Sequence, residues 1–187
     1  MLTDITDTIE LANGVTMPRL GLGTYKSAEG GDAERSVTAA LEFGYRSIDT
    51  ASLYGNEAGI GAAIAASGVP RSELFLTSKM WNDEQGFDTT LSAFERSLAR
   101  LGTSYLDLYL VHWPREQTHD TWRALERLYA EGAVRAIGVC NHLEHHLEAL
   151  LAVADVPPMI DQYEFHPWLQ QPSLRAYCQS HGIVVEA

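Results

Sequence analysis

Four side chains of complementary chemistry stand at the ends of short apolar runs. Asp49 follows Ser47-Ile48, Tyr54 comes five residues later, Lys79 closes Leu74 to Ser78, and His112 closes Leu106 to Val111. Asn141 after Gly138-Val139-Cys140 and Gln162 after Ile160-Asp161 repeat the placement. As a group they read as an acid site for a carbonyl. A phenol with a pKa of roughly 10 is a poor proton donor at neutral pH. A neighbouring ammonium favours the phenolate, so Lys79 is expected to lower the Tyr54 pKa. A half-dry ammonium needs a carboxylate beside it, which Asp49 supplies. His112 then directs the substrate oxygen by a hydrogen bond, and Tyr54 donates the proton as hydride reaches carbon.

These residues must converge, and the chain's punctuation says how. Phe43-Gly44-Tyr45, Leu101-Gly102-Thr103, Glu131-Gly132-Ala133 and His181-Gly182-Ile183 each put a glycine between a helix-like stretch and an apolar run. Glycine enters the left-handed conformation that often follows a last helical turn, so each is read as a helix-to-strand joint. Amphipathic stretches at Arg35 to Phe43, Glu57 to Ala66, Thr89 to Arg100, Thr121 to Ala130, Leu143 to Ala154 and Ser173 to His181 predict helices. Strands are expected near Leu20, Ser47, Leu74, Leu106, Val134, Ile160 and Ile183. The alternation implies an α/β fold with one parallel sheet, either doubly wound or closed as a barrel. Gly21-Leu22-Gly23 lacks the third glycine of a dinucleotide fingerprint, Lys26 standing in its place. Polar residues gather at one end of the strands. Both features favour a (β/α)8 TIM barrel. Ile9 to Met17, with Asn13-Gly14 in the middle, predicts a β-hairpin that closes the barrel floor.

Composition narrows the function classes. The 187 residues suit a single domain, taken as 1–187. Thirteen Lys+Arg against 25 Asp+Glu give a net charge of −12 without a basic stripe, which argues against nucleic acid. No run approaches the roughly 18 apolar residues of a membrane span. The acidic stretch Met1 to Glu10 does not look like a signal peptide, so a cytoplasmic location is expected. The two cysteines, Cys140 and Cys178, form no CxxC pair; Cys178 is read as packing. His142, His145 and His146 share helical spacing, but without a carboxylate or thiolate at ligand spacing they are read as solvated surface and no metal is expected. His166 is read as holding its loop.

The runs GLGTY at Gly21, SIDTASLYGNE at Ser47, LTSKMW at Leu76, DLYLVHWP at Asp107, AIGVCN at Ala136 and DQYEFHP at Asp161 resemble the aldo-keto reductase family in order and spacing. The pattern is similar to bacterial members that reduce small dicarbonyls and sugar-derived ketones, the 2,5-diketo-D-gluconate reductase type. The resemblance implies NADPH, with NADH an alternative, and a small carbonyl substrate. It implies a catalytic tetrad of Asp49, Tyr54, Lys79 and His112. Cofactor contacts are implied at Gly23, Thr24, Asp49, Cys140, Asn141 and Gln162, and pocket walls at Tyr25, Trp81, Trp113 and His112. Cys140 stands where the family commonly has serine, which weakens or removes one cofactor hydrogen bond.

A complete barrel of this type needs about 250 residues. The chain therefore reads as about six and a half βα units behind a hairpin, a fragment of a longer reductase whose parent is a monomer. The family's cofactor clamp and C-terminal loop would lie beyond Ala187. Two open sheet edges predict self-association. Two rivals stand beside the reductase: a non-catalytic protein of the family that binds a nucleotide or partner, or an inactive fragment; and a barrel lyase or isomerase using Lys79 as a Schiff base.

Overall fold

The computed structural model describes residues 4–28 and 30–187; the first three residues of the acidic N-terminal stretch lie outside these. Strands β1 (Thr8–Glu10) and β2 (Thr16–Pro18) form the expected antiparallel hairpin, with Ile9 opposite Met17. Gly14 turns it at φ 83°. Leu11 and Met17 point into the core, and the Asn13 side chain donates to the Arg135 carbonyl oxygen at 2.9 Å. The hairpin thus seals the end of the sheet at which the strands start.

Seven parallel strands follow: β3 (Leu22–Gly23), β4 (Ser47–Asp49), β5 (Phe75–Met80), β6 (Leu106–Val111), β7 (Val134–Cys140), β8 (Ile160–Gln162) and β9 (Val184–Glu186). Helices α1 (Asp32–Glu42), α2 (Glu57–Ala66), α3 (Phe87–Leu101), α4 (Thr118–Ala130), α5 (Glu144–Leu151) and α6 (Pro172–Ser180) alternate with them. The strands lie side by side in chain order, β3 to β9. A doubly wound sheet reverses its order at a switch point; this one does not, so the sheet curls in the sense of a barrel wall.

Six helices and seven barrel strands appear where the pattern places them, with ends displaced by a few residues. Glycines 44, 102, 132 and 182 all have φ between 63° and 93°. At Gly102 the amide donates to the Leu98 carbonyl as α3 ends, a cap that a side chain would strain. Every residue of β5 and β6 is buried, as expected of central strands covered by helices outside and packed side chains inside. Asp107, buried in β6, is balanced by Arg71 and Arg135 at 2.7 Å each and accepts the Leu76 amide at 2.9 Å. This cluster pins β5, β6 and β7 at their N-terminal ends, opposite the acid residues.

Candidate active site

Ladder register brings the predicted residues to one rim. Gly23 pairs with Asp49, Asp49 with Thr77, Lys79 with Leu110, Cys140 with Gln162 and Gln162 with Glu186. Side chains that end neighbouring strands on the inner face meet across the mouth.

Lys79 is the deepest of them, fully buried. Its ammonium donates to Asp49 Oδ1 at 2.5 Å and to the Thr50 carbonyl oxygen at 2.9 Å, and lies 5.2 Å from the centre of the Tyr54 ring. Burial alone would favour the neutral amine, but the Asp49 carboxylate outweighs it and the Lys79 pKa stands above its ordinary value. The lysine is cationic at neutral pH. The expected lowering of Tyr54 does not occur. Burial, the larger influence, raises its pKa, while the Lys79 charge pulls in the predicted direction without overcoming it. A neighbouring charge is visible in the sequence, whereas the loss of water is not.

His112 is buried, with Tyr54 at 5.7 Å and Trp81 at 5.1 Å between ring centres, both edge-on. Burial, and then the Lys79 charge, push its pKa down to about 4, so the ring is neutral at physiological pH. Its Nδ1 has no hydrogen-bond partner among the described residues. The Tyr25 ring lies 5.0 Å from that of Tyr54.

Two adjoining clefts open here. One, of about 530 Å³, is lined by Tyr25, Tyr54, Trp81, His112, Trp113 and Asn141, and Gln162 borders it. The other, of about 700 Å³ between β3 and β9, touches Gly23, Asp49, Tyr54, Gln162 and Glu186. Trp81 and Trp113 are therefore cleft walls rather than core. Asn141 adopts φ 58°, a left-handed conformation that asparagine tolerates better than most residues, and its Nδ2 donates to the His112 carbonyl oxygen at 3.0 Å. Cys140 is buried, with its sulfur 3.8 Å from Gln162 Oε1, and burial raises its thiol well above the ordinary range. Neither Cys140 nor Thr24 lines either of these two clefts. Thr24 is wholly buried behind Gly23, its hydroxyl donating to the Asp49 carbonyl oxygen at 2.9 Å, which braces β4.

Three contributors escaped the sequence reading. Glu84 accepts hydrogen bonds from Ser52 at 2.5 Å, the Trp81 amide at 2.9 Å and Arg96 at 2.9 Å, tying the Tyr54 loop to the Trp81 loop. Buried Asn56 accepts from Thr50 and donates to the Thr24 and Ser27 carbonyl oxygens, holding the same loop from below. Glu186 accepts a hydrogen bond from Gln162 Nε2 at 2.9 Å. Glu186 alone left a trace, a carboxylate in the apolar run Val184-Val185 with the parity of Gln162. The histidine cluster also differs from expectation. His145 is exposed and His146 half-buried, but His142 is fully buried, its Nδ1 2.9 Å from the Cys140 carbonyl oxygen. Among the described residues no group of three or more His, Cys, Asp or Glu side chains could hold a metal ion. His166 bonds Glu164 at 3.0 Å within its own loop, and Cys178 is buried, as expected.

Known proteins resemble this chain in sequence and fold. The Aldo/keto reductase family model matches residues 19–187. Glyoxal reductase of Bacillus subtilis (strain 168) is 57% identical over 188 residues, spanning 100% of this chain and 68% of that protein. An aldo/keto reductase from Brucella melitensis, 45% identical, superposes with a TM-score of 0.95 over 97% of this chain and 72% of its own. A Bombyx mori aldo-keto reductase solved in complex with NADP, 36% identical, gives 0.92 over 99% of this chain and 66% of its own. This chain thus spans about two thirds of the length of its relatives. Sheet order, sequence and superposition agree that the chain belongs to the aldo/keto reductase family.

Proposed function

We propose that this chain carries the acid half of a nicotinamide-dependent reductase of small aldehydes and ketones, with Tyr54 as general acid and NADPH as the preferred cofactor. The observation that carries it is the buried Lys79 ammonium, paired with Asp49 and lying 5.2 Å from the centre of the Tyr54 ring. The glyoxal reductase and NADP-bound relatives support the substrate class and the cofactor type.

The residues present suit a nicotinamide carboxamide. Gln162 and Asn141 bring amide groups to the cleft beside Tyr54, and Gly23 leaves room along β3, where an added Cβ would meet nothing within 4 Å. When bound, NADPH supplies the hydride. A substrate oxygen entering the first cleft lies between Tyr54 and His112. Neutral His112 donates one N–H to it and sets its direction. Tyr54, its pKa raised, keeps its proton at neutral pH and gives it up only to an oxygen that has become strongly basic. Lys79 stabilises the phenolate left behind, and Asp49 keeps Lys79 charged. Trp81 and Trp113 restrict water.

The same geometry disfavours a Schiff base. A nucleophilic lysine must be neutral, whereas Lys79 is held cationic with its hydrogen bonds directed at Asp49 and Thr50. NADPH oxidation followed by absorbance, with glyoxal and a panel of small aldehydes and diketones, tests the proposal. Tyr54→Phe is expected to lower kcat by at least about a hundredfold while cofactor affinity holds. Turnover surviving in that variant overturns the acid assignment.

A further inference from the structure

We propose that Glu186 is a positioning residue for the cofactor end of the site: it holds the Gln162 carboxamide by its nitrogen and so presents the Gln162 carbonyl oxygen as a hydrogen-bond acceptor for a nicotinamide carboxamide. This rests on the cofactor reading above and names a residue that neither the motifs nor the tetrad contains.

Glu186 is the ladder partner of Gln162 across β8 and β9, so the two side chains leave the same face of the sheet. That face is the barrel interior, since Gln162 reaches Asp49 from it. Glu186 lines the larger cleft together with Asp49, Tyr54 and Gln162.

The hydrogen bonds then leave the amide one orientation. Gln162 Nε2 donates to Asp49 Oδ2 at 3.0 Å and to Glu186 Oε2 at 2.9 Å. A primary amide nitrogen has two hydrogens, and each is now held by a carboxylate. Rotating the amide by half a turn would set its carbonyl against the Asp49 carboxylate and, above pH about 7, against an ionised Glu186 as well, so the electrostatics disfavour it. Gln162 Oε1 is left facing away from both acids, where among the described residues it meets only the Cys140 thiol at 3.8 Å, a weak and distant donor. Its acceptor capacity is free for a ligand N–H. With Asp49 alone the amide would keep one anchor and could swing about it; the second anchor makes the acceptor a fixed feature.

Keeping Glu186 here is costly, which points away from mere packing. Val184 and Val185 precede it, and burial and then the neighbouring Asp49 push its pKa up to about 7. An apolar residue would extend the strand without that penalty. Lys79 faces the same cluster and offsets part of the repulsion.

The test is NADPH titration by quenching of intrinsic tryptophan fluorescence, Trp81 and Trp113 being cleft walls, with steady-state kinetics alongside, for the wild-type chain, Glu186→Ala, Glu186→Gln, Gln162→Ala and the Glu186→Ala/Gln162→Ala double variant. Glu186→Ala is expected to weaken NADPH binding about tenfold, roughly 1.4 kcal/mol, with saturated kcat within about twofold. Glu186→Gln keeps an oxygen that accepts from the Gln162 amide and should restore most of the affinity. The double variant should bind no worse than Gln162→Ala, because Glu186 acts through that residue. Unchanged affinity in Glu186→Ala while Gln162→Ala binds weakly overturns the positioning role and leaves the cofactor reading standing. A fall in kcat with unchanged affinity, or additive losses in the double variant, also overturns the role. Unchanged affinity in Gln162→Ala, or no binding by the wild type, overturns the cofactor reading and the proposal together.

Discussion

His112 illustrates how burial sets chemistry at a single residue. Its folded pKa of about 4 lies below the ordinary 6.5, so the neutral ring is the favoured form. The resulting stability is fully present above pH 6.5 and is lost as pH falls from there through about 4. NMR titration of the His112 ring should show no protonation between pH 8 and about 5.5, and kcat should show no acid limb from this residue in that range. A midpoint near 6.5 would contradict the burial argument. Tyr54 gives the opposite limb. Its raised pKa predicts a proton-donating plateau across neutral pH, with rate lost only above the ordinary tyrosine value of 10.0. Lys79→Met should cost roughly 3 kcal/mol in chemical denaturation, near the low end for breaking a buried pair, because Asp49 keeps 16% side-chain exposure and the Gln162 amide.

At the scale of elements, close approaches decide what the strands and helices tolerate. Gly61 in α2 lies so near the end of α3 that a Cβ would stand 2.5 Å from the Leu101 carbonyl oxygen, an atom of the backbone. Gly61→Ala must therefore push α2 away from α3 despite alanine's better helix propensity. A loss of roughly 1 to 3 kcal/mol is expected from a thermal or urea melt, and a stabilised variant would refute the packing. Buried Glu57 strengthens the same joint, since it accepts from Ser78 at 2.6 Å and meets Arg100 at 2.6 Å. Helix α2 thereby grips β5 one residue before Lys79. This links helix packing to the position of the ammonium.

For this 187-residue stretch taken as a whole, the edges of the sheet matter most. β3 and β9 end the seven-stranded order, and each has a strand partner on one side only among the described residues. Between them lies the cleft of about 700 Å³. Unpaired strand edges template association. Analytical ultracentrifugation of this 187-residue chain at tens of micromolar is expected to show concentration-dependent dimers or larger species; a single monomeric boundary throughout would exclude it.

Much of this protein is written locally. The glycine joints, the alternation of amphipathic and apolar runs and the Asn13-Gly14 hairpin are set by backbone sterics and periodicity over a few residues, and all of them can be read off the chain. Strand ends bearing Asp49, Lys79, His112, Asn141 and Gln162 are legible for the same reason, because in a parallel sheet the end of a strand already specifies the rim. What required the tertiary structure depends on distance and water. Sequence proximity gives no measure of desolvation, so the rise of the Tyr54 pKa, the neutrality of His112 and the burial of His142 emerge only once neighbours exclude solvent. Nor can it show that Glu186 meets Gln162, a contact that arises when β9 pairs with β8 and their registers align. The sequence by itself determined which groups stand at the mouth; packing decided which of them are charged, and which way the Gln162 amide faces, because both depend on the dielectric and the partners that only the folded chain assembles.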